Sequence, residues 1–406
     1  MRTLTTRSSA ARRVLAAYAA AIGVMLAAAL VGCGGGVDSG GTGAPTVAHA
    51  SGPISGFGSV IVNGVHFDER SASIRDGDGN SRSRDDLKLG MTTEIDGSAV
   101  VVDANGVSGS AATSIVFASA LLGPVAAVDA AAGSFTVLGQ TVDIAPNTVF
   151  DESLVGGLAG LAVGDLVEIY ALPDFVTRHY VATRIERRPG ATSYLLRAML
   201  SNLNAQARTF DLGGLAVSYA TLPGNLLPGV LANGQVVRVQ LAKAPLANLW
   251  QATRIDAGAS QFADRDEARL EGLVTSIVSS AQFSVDGVAI DASHASFPDG
   301  TAGLVAGARV RVEGAVVGQV IDATRVELRS DDELAHEEFE VDGDVSALDS
   351  VAKTFVVRGV LVDYSGSVEF RDGTASDLRI GRLLEVRGVL STAGTSLAAT
   401  RIRFRN

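Results

Sequence analysis

Cysteine, tryptophan and histidine are scarce in this chain. Its 406 residues include one cysteine, one tryptophan and five histidines, and aromatic residues make up 5% of the total. A single cysteine excludes a disulfide framework and any zinc site that needs several cysteine ligands. The few aromatic residues argue against a protein that binds single-stranded nucleic acid by stacking bases on exposed rings.

The chain also has fewer basic than acidic residues. Lysine and arginine total 33 against 44 acidic residues, which gives a formal net charge of −11. A nonspecific nucleic-acid binder needs a basic face, so we expect no nucleic-acid partner. Hydrophobic residues make up 47% of the chain, which excludes a disordered protein. The length predicts at least two or three domains.

The one long hydrophobic run lies near the N-terminus. Residues 14–31 carry no charge and are rich in alanine, and the segment before them contains four arginines and no acidic residue. A basic start followed by an apolar stretch and small residues is typical of a secretory signal peptide. We therefore predict a signal peptide over residues 1–32 rather than a membrane span.

The end of this run, Leu30-Val31-Gly32-Cys33, resembles the lipobox of bacterial lipoproteins. The resemblance implies cleavage between Gly32 and Cys33, a lipid on the Cys33 sulfur and acylation of the new amino group, with fatty acids such as palmitate. Three acyl chains exceed the two signals that stable anchoring requires. An uncleaved anchor helix and an ordinary signal peptide with a chance cysteine are the alternatives.

The next segment, residues 33–51, is rich in glycine and has no apolar period. This composition is typical of a flexible linker, so we predict a tether between the lipid on Cys33 and the first folded module. Gly34 follows the cysteine, and the resemblance to Gram-negative lipoproteins implies that an aspartate there would favour retention in the inner membrane. We therefore expect a protein of the bacterial cell envelope, anchored to the outer membrane and facing the periplasm.

One module recurs five times after the tether. The string Ala-Thr-x-Ile, with valine once in place of isoleucine, returns at intervals of 70, 70, 71 and 76 residues. Its threonines are Thr113, Thr183, Thr253, Thr324 and Thr400. A motif that begins with phenylalanine and ends in glycine precedes it in the later copies, at Phe135, Phe210, Phe283 and Phe355. The third marker is a glycine before a strand, at Gly90, Gly164, Gly234, Gly307 and Gly381. Three markers in one order at one period indicate a tandem repeat.

In each copy, apolar and polar residues alternate after the marker glycine, as they do in a β-strand with one buried face. In the fourth copy Val310 and Val312 flank Arg311, and a period of two places one face in a core and the other in water. About five short strands per copy cannot form a stable flat sheet with two exposed edges. We therefore predict an all-β chain with a tandem array of about five small OB-like β-barrel modules. An array of small sandwiches is the alternative.

The predicted modules span residues 52–118, 119–189, 190–262, 263–336 and 337–406. Short helices are expected only in loops, near residues 151–161 and 296–305. Acidic runs at residues 263–267 and 331–338 lie at two module boundaries, where such runs typically form solvated linkers.

Two strings in the first module point to a known family. Residues 56–68 read GFGSVIVNGVHFD, and residues 86–91 read DLKLGM. These strings resemble the bacterial domain-of-unknown-function family numbered 5666, whose members combine a lipobox with repeated β modules. The resemblance covers nearly the whole mature chain, and the later copies match its general pattern. It implies a fold and a cell-envelope location, and it supplies no catalytic residues.

The sequence contains no motif that predicts chemistry. Its histidines are never paired at ligand spacing: they are His49, His66, His179, His294 and His336. We therefore predict no metal site and no cofactor. Residues 76–80, DGDGN, resemble the start of a calcium loop, but Ser81 and Leu87 stand where such a loop needs glycine and glutamate. A hairpin turn is the expected structure. Polar residues differ from copy to copy while catalysis needs one fixed set, so we predict no catalytic residues.

Three repeated residue types have structural interpretations. The repeated threonines are expected to pack or hydrogen-bond against a neighbouring strand. The arginines that follow them are Arg184, Arg254, Arg325 and Arg401. Regular alternation would place these arginines on the solvent face, and we expect pairing with Asp and Glu across strands rather than recognition of carboxylates or phosphates. Each motif phenylalanine precedes a Val or Leu by two residues, so the rings are predicted to fill the barrels.

The sequence thus predicts a lipid-anchored, non-catalytic protein of the cell envelope, whose tandem modules bind or scaffold an envelope protein or glycan. The competing hypothesis is an envelope hydrolase or glycan-binding protein with a site between modules. A cleft with converging carboxylates or a Ser-His pair would distinguish the hydrolase.

Overall fold

The structure is a computed structural model that describes residues 47–258 and 263–405. The predicted signal peptide, Cys33 and most of the predicted tether lie outside these residues. Strands take up 56% of the described residues and helices 5%, so the predicted all-β class is confirmed. Within these two ranges, no helix has the length and hydrophobicity that crossing a bilayer requires.

Five barrels contain most of the strands, and each has five strands that we name A to E in chain order. Barrel 1 contains β1 (Val47–Phe57), β2 (Val60–Val62), β3 (Val65–Asp68), β5 (Thr92–Ser98) and β7 (Ser108–Phe117), extended by β4 (Ser73–Asp76) and β6 (Val101–Val102). Barrel 2 contains β8 (Leu121–Asp129), β9 (Ser134–Val137), β10 (Gln140–Phe150), β11 (Leu166–Asp174) and β12 (His179–Arg187). Barrel 3 contains β13 (Tyr194–Asn204), β14 (Thr209–Leu212), β15 (Leu215–Ser218), β16 (Val236–Leu241) and β17 (Trp250–Ala257).

The last two barrels follow the same plan. Barrel 4 contains β18 (Arg265–Ser279), β19 (Gln282–Val285), β20 (Val288–Asp291), β21 (Arg309–Val317) and β22 (Val320–Leu328). Barrel 5 contains β23 (Phe339–Asp349), β24 (Thr354–Val357), β25 (Val360–Asp363), β27 (Leu383–Leu390) and β28 (Leu397–Phe404), extended by β26 (Glu369–Arg371).

One α-helix and four 3₁₀ turns complete the described residues. The helix α1 spans Asp331–Ala335, and the 3₁₀ turns span Arg84–Asp86, Gly157–Gly160, Gly224–Leu226 and Ala375–Asp377. Each 3₁₀ turn lies between strands C and D. The helix predicted near residues 151–161 is therefore a single 3₁₀ turn. The helix predicted near residues 296–305 is wrong, because that segment forms turns, and its Pro298 and Gly300 disfavour a helix interior.

Each barrel closes through the same strand order. In barrel 4 the pairs A–B, B–C, E–D and D–A are antiparallel and the pair C–E is parallel. The other barrels repeat the order A-B-C-E-D. Closure in this OB-like order removes the free edges of a small sheet. The predicted barrels are confirmed, and the sandwich alternative is wrong.

The repeated threonine is the extra residue of a β-bulge in strand E. In barrel 4, Arg325 pairs with Glu313 and Ala323 pairs with Gly314, so Thr324 lies between two ladder pairs. Its hydroxyl donates a hydrogen bond to the Glu313 carbonyl at 3.2 Å. The same register shift occurs at the other four threonines, Thr113, Thr183, Thr253 and Thr400.

The bulge explains why the two apolar residues of the Ala-Thr-x-Ile string are three positions apart. Residues three apart in a regular strand point to opposite faces, but one extra residue returns both to the same face. Ala323 and Val326 are accordingly 1% and 2% exposed, and the Ala and Ile of the other copies are buried as well. The expectation of regular alternation is therefore wrong in strand E.

The marker glycine turns the chain into strand D. All five marker glycines have a positive φ, between 77° and 94°, which glycine adopts at little cost and side chains disfavour. In barrel 4 the amide of Gly307 donates to the Val274 carbonyl at 2.8 Å, and the Val274 amide donates to the Ala308 carbonyl at 2.8 Å. The same two bonds hold the turn to strand A in the other barrels.

The motif phenylalanines fill the barrels, as predicted. Phe135, Phe210, Phe283 and Phe355 are between 1% and 4% exposed. The apolar residues two positions later are 0% exposed in every copy, at Val137, Leu212, Val285 and Val357. Rings and aliphatic side chains of one strand therefore share the interior face.

Strand β1 begins inside the segment predicted as a tether. Residues 47–51 pair with β5 on one edge, and Ala48 to Ser51 pair with β18 of barrel 4 on the other. The tether prediction is wrong for these residues. Their buried face consists of small side chains, Ala48 and Ala50, which are 2% and 1% exposed and give no strong apolar period.

The barrels are joined through their A strands. β1 runs parallel to β18 of barrel 4 and, at its end, parallel to β23 of barrel 5. β8 and β13, the A strands of barrels 2 and 3, form an antiparallel ladder. Barrels 1 and 5 share a hydrophobic core, to which barrel 2 adds two side chains. Barrels 2 and 3 share a second core, and barrel 4 has its own. Strand ladders therefore join barrel 1 to barrels 4 and 5, and barrel 2 to barrel 3.

We predict that Phe283→Ala exposes barrel 4 to protease. Truncating a buried phenylalanine costs about 3–5 kcal/mol, a large share of the stability of a domain. Limited proteolysis with mass mapping should find new cuts within residues 265–328. Val278→Ala is the control, because Val278 lies in the same barrel and is 83% exposed. If Phe283→Ala is as resistant as the wild type, the core assignment is wrong.

Candidate functional site

A cavity of about 370 Å³ lies where barrels 1, 2, 3 and 4 meet. This volume falls within the range of small-molecule pockets, about 300–1,000 Å³. Barrel 1 lines it from β1, β5 and β7, and barrel 2 lines it from β11. Barrel 3 lines it from β13 and β16, and barrel 4 from β18 and its B–C turn. The cavity therefore depends on the fixed arrangement of four barrels.

Two arginines of barrel 3 project into the cavity. Arg197 and Arg238 are cross-strand neighbours on strands A and D. Arg197 forms an ion pair with Asp286 of barrel 4 at 3.1 Å, and its Nε donates to the Gly258 carbonyl at 2.6 Å. Arg238 forms an ion pair with Asp78 of barrel 1. Because each guanidinium has its own carboxylate, the two like charges can lie side by side.

Two polar atoms at the cavity are buried without a hydrogen-bond partner. They are Nε of Arg238 and Oδ1 of Asp286. An unpaired buried polar atom costs about 1–3 kcal/mol, and neither of these two atoms is accessible from the cavity. Burial raises the pKa of Asp286, and the charge of Arg197 opposes this rise. The rest of the wall includes small and apolar side chains: Val116, Ala118, Ala120, Ala171 and Leu172.

Asp286 reaches the cavity from the B–C turn of barrel 4. Asp286 and Gly287 have φ values of +49° and +81°, both positive as in a type I′ hairpin turn. Aspartate tolerates this region better than most residues. The equivalent first turn positions of the other barrels hold Asn63, Leu138, Gly213 and Arg358. The carboxylate at this position is therefore specific to barrel 4.

A second buried polar cluster joins barrels 2, 4 and 5. Glu271 is 3% exposed and accepts hydrogen bonds from Arg309 at 2.8 Å and from Arg311 at 3.0 Å. Asn147 of barrel 2 accepts from Arg309 at 3.1 Å and donates to Glu337 at 2.6 Å. Burial alone would raise the pKa of Glu271, but Arg309 and Arg311 lower it to about 2.

The acidic runs are solvated only in part. One run forms α1, where Ser330 and Glu333 make a capping box, and its last part supplies Glu337 to the buried cluster. In the other run, Glu267 accepts a hydrogen bond from the Val100 amide of barrel 1 at 3.0 Å. The prediction of solvated runs therefore fails for Glu267 and Glu337, which meet donors of a neighbouring barrel, whereas Asp331 to Glu333 are exposed.

The arginines of the Ala-Thr-Arg strings pair with carboxylates, and three do so along their own strand. The pairs are Arg184–Glu186, Arg254–Asp256 and Arg325–Glu327 within strand E, and Arg401–Glu369 across to β26. Arg184 is 6% exposed and donates to the Leu89 carbonyl of barrel 1 at 3.0 Å. The expected solvent position is wrong for Arg184, because barrel 1 covers it.

One serine–histidine pair lies near the interface of barrels 1 and 5. Nδ1 of His66 is 3.1 Å from Oγ of Ser59. Burial, and then Arg387 of barrel 5, lower the pKa of His66, which favours the neutral ring that a general base needs. In the part of the chain that the structure describes, no carboxylate hydrogen-bonds to this ring, so the third member of a catalytic triad is lacking.

The other candidates from the sequence do not converge. Among residues 47–258 and 263–405, no group of three metal-ligating side chains occurs. Residues 76–80 form the expected turn, in which the Asp76 carboxylate accepts from the amides of Asp78 and Asn80 at 3.0 and 2.9 Å. The predicted cleavage and lipidation site at Gly32 and Cys33 lies outside the described residues.

The cavity residues do not belong to the repeated markers. Arg238 occupies the fourth position after the marker glycine, which holds Glu94, Glu168, Arg311 and Glu385 in the other copies. Alternation predicts water at this position, but Arg238 and Glu385 are 8% and 7% exposed because neighbouring barrels cover them. This position holds a charged residue in every copy, although the sign of the charge differs between copies. That pattern could have identified these residues as part of an interface.

Three stretches of the chain match the sequence model of one family. Residues 123–186, 271–327 and 342–403, which cover most of barrels 2, 4 and 5, match the family described as "Domain of unknown function (DUF5666)". The chain contains DUF5666 domains in tandem. Barrels 1 and 3 lie outside the matched residues and have the same strand order as the DUF5666 barrels.

Other comparisons add little to this assignment. No curated protein matches the chain. Among solved structures, drosophila Unr CSD456 is 14% identical and covers 53% of this chain and 98% of its own, with a TM-score of 0.13. A TM-score this low carries no argument.

We predict that Glu271→Gln destabilises this DUF5666 protein far more than Glu327→Gln. Removing one partner of a buried ion pair costs about 3–5 kcal/mol, whereas exposed pairs contribute about 0–1 kcal/mol. Glu327 is the matched control, because it pairs with Arg325 in the same barrel near the surface. Thermal unfolding at neutral pH measures both losses, and equal losses would contradict the buried cluster.

The same carboxylate predicts a sensitivity to acid. The pKa of Glu271 in the folded protein lies below its ordinary value of 4.5. Its ionised form therefore stabilises the fold above that value, and this contribution is lost as the pH falls towards 2. Unfolding measured across this window should lose less stability in Glu271→Gln than in the wild type. An identical pH dependence in both proteins would refute the assignment.

Proposed function

We propose that this protein is a lipid-anchored, non-catalytic protein of the bacterial cell envelope whose barrels scaffold or bind an envelope partner. The observation that carries the proposal is the pairing of β1 with β18 and β23. The strand that follows the tether is thereby hydrogen-bonded to two barrels besides its own. A body built in this way suits attachment to a membrane through its N-terminal end.

The lipobox supports the location. Cys33 is the one thiol of the chain and stands at the end of a signal-peptide pattern. Lipid on Cys33 would hold the five barrels at the membrane surface, and Gly34 favours the outer membrane, with the barrels facing the periplasm. The DUF5666 family assignment agrees with this location by resemblance.

The cavity supports binding rather than catalysis. A general acid or base needs a free group whose pKa is near the working pH. In this cavity Arg197 and Arg238 are held in ion pairs with carboxylates of neighbouring barrels. These ion pairs stabilise the arrangement of the barrels, and an arginine does not exchange protons near neutral pH.

A hydrolase remains the second candidate because of the Ser59–His66 pair. Its distinguishing test is labelling of the purified protein with a fluorophosphonate, which reacts with activated serines. Labelling that disappears in Ser59→Ala would favour the hydrolase. Without such labelling the binding function stands.

We predict that Cys33→Ser abolishes labelling by a palmitate analogue and blocks maturation. The serine hydroxyl cannot replace the thiol as the acceptor of the lipid, so the signal peptide should stay attached. Metabolic labelling and fractionation of the envelope measure both effects. The control is Ser51→Ala, which leaves the lipobox intact. Labelled, membrane-bound protein in Cys33→Ser would overturn the proposed anchor.

A further inference from the structure

We propose that Asn105 is a site of spontaneous covalent modification, at which the asparagine side chain deamidates to aspartate or isoaspartate. The chain contains three Asn-Gly pairs, at residues 63–64, 105–106 and 233–234. Glycine has no side chain that hinders its amide nitrogen from approaching the preceding asparagine, so the sequence alone makes all three pairs candidates. The structure distinguishes between them, and this inference does not depend on the proposed function.

The reaction takes place within the Asn-Gly pair. The glycine amide nitrogen loses its proton to solvent and attacks Cγ of the asparagine, and the side-chain nitrogen takes up a proton and leaves as ammonia. Water then opens the five-membered imide, at one carbonyl to give aspartate or at the other to give isoaspartate. No oxidant or reductant takes part. The reaction requires an asparagine side chain that can turn towards the next amide, and a glycine amide that can leave its hydrogen bond.

Asn105 lies where both requirements are met. Residues 101–107 are all exposed and lead through the turn between strands D and E of barrel 1. Within the described residues, the Asn105 side chain makes one hydrogen bond, from Nδ2 to the Asp103 carboxylate at 3.4 Å. The Gly106 amide donates to the Asp103 carbonyl at 3.0 Å. Both bonds stay inside the turn, and β6 pairs over two residues only, so this segment opens at low cost.

Asn63 has the same neighbour but is held at the joint of barrels 1 and 4. It is 3% exposed, and its Nδ2 donates to the carbonyls of Ser51 in β1 and Arg269 in β18, at 2.9 and 3.3 Å. The nitrogen that would leave as ammonia is therefore bonded to two strands. Deamidation would also place a carboxylate against two carbonyl oxygens, which is unfavourable in a buried site. Asn63 is thus protected for as long as β1 and β18 stay paired.

Asn233 is the intermediate case. It is exposed, but its Oδ1 accepts a hydrogen bond from the Leu203 amide at 2.9 Å. The Gly234 amide donates to the Leu200 carbonyl at 2.8 Å, in the bond that holds the marker-glycine turn to strand A. Reaction at this pair requires two bonds to strand A of barrel 3 to break. We therefore expect the rates to fall in the order Asn105, Asn233 and Asn63.

The fold tolerates the modification at Asn105. Isoaspartate adds one carbon atom to the main chain, but β7 also pairs with β5 and with β3 beyond the turn. The change therefore disturbs β6 and leaves the barrel closed. The product adds a negative charge beside Asp103. The modified protein should stay folded and carry an altered surface at the turn between strands D and E of barrel 1.

Peptide mapping of the full-length protein tests the order of the three rates. The protein is incubated at mildly alkaline pH, digested and analysed by mass spectrometry, which detects the mass increase and separates aspartate from isoaspartate by retention time. In the folded protein Asn105 should deamidate at least about tenfold faster than Asn63, because Asn63 reacts only after local opening of the joint. Urea-denatured protein is the matched control, in which the three pairs should react at similar rates.

Three variants add readouts that do not depend on these rates. Asn105→Gln should remove the signal at this position, because glutamine must form a larger ring. Asn63→Asp and Asn105→Asp place the reaction product at each site. Aspartate tolerates the positive φ of position 63, so Asn63→Asp tests the lost hydrogen bonds and should lower the temperature of thermal unfolding. Asn105→Asp should unfold at the same temperature as the wild type.

Two results would overturn the inference. A folded protein that gains no aspartate or isoaspartate at Asn105, while the denatured protein reacts there, would show that the turn protects this pair. Equal rates at Asn105 and Asn63 in the folded protein would contradict protection by barrel 4. Neither result bears on the lipid at Cys33, so the inference and the proposed function fail separately.

Discussion

An unpaired strand edge exposes backbone N–H and C=O groups that can pair with another chain, and this architecture leaves few such edges. Closure removes the edges within each barrel, but strand A is longer than strand B and extends past it. Over Ala48 to Ser51, β1 has β5 on one edge, and β18 of barrel 4 occupies the other. The remaining A-strand ladders solve the same problem for barrels 2, 3 and 5. The arrangement of the barrels, the cavity between them and the buried ion pairs all follow from these ladders.

The residues that serve every barrel are repeated, and the residues that join the barrels are not. Marker glycines and bulge threonines do the same task in all five barrels, and motif phenylalanines do so in four, which is why the period predicts the barrel fold. Contacts such as Asn147 with Glu337, or Arg197 with Asp286, occur once each. Their residue types differ between copies, so the repeat contains no information about which barrels meet.

The candidate site could be predicted from the sequence only in part. Alternation identified the strand D positions that carry charge, among them Arg238, but it assigned their face to water. The cavity brings together Gly77, Arg238 and Asp286, which are far apart in the sequence and belong to three barrels. Such a site requires the packing of barrels to be known. The tether prediction failed for a related reason, because a strand of small residues is stabilised by two partners outside its own segment.

Amide hydrogen exchange of β1, measured by mass spectrometry on the full-length protein, tests the joined arrangement most directly. If the A strands hold the barrels together, the amides of Ala48 to Ser51 should exchange as slowly as those of β21 and β22 in barrel 4, because both edges of β1 lie in ladders. Fast exchange of these amides, with β21 and β22 still protected, would contradict the arrangement and indicate barrels that are linked only by the chain.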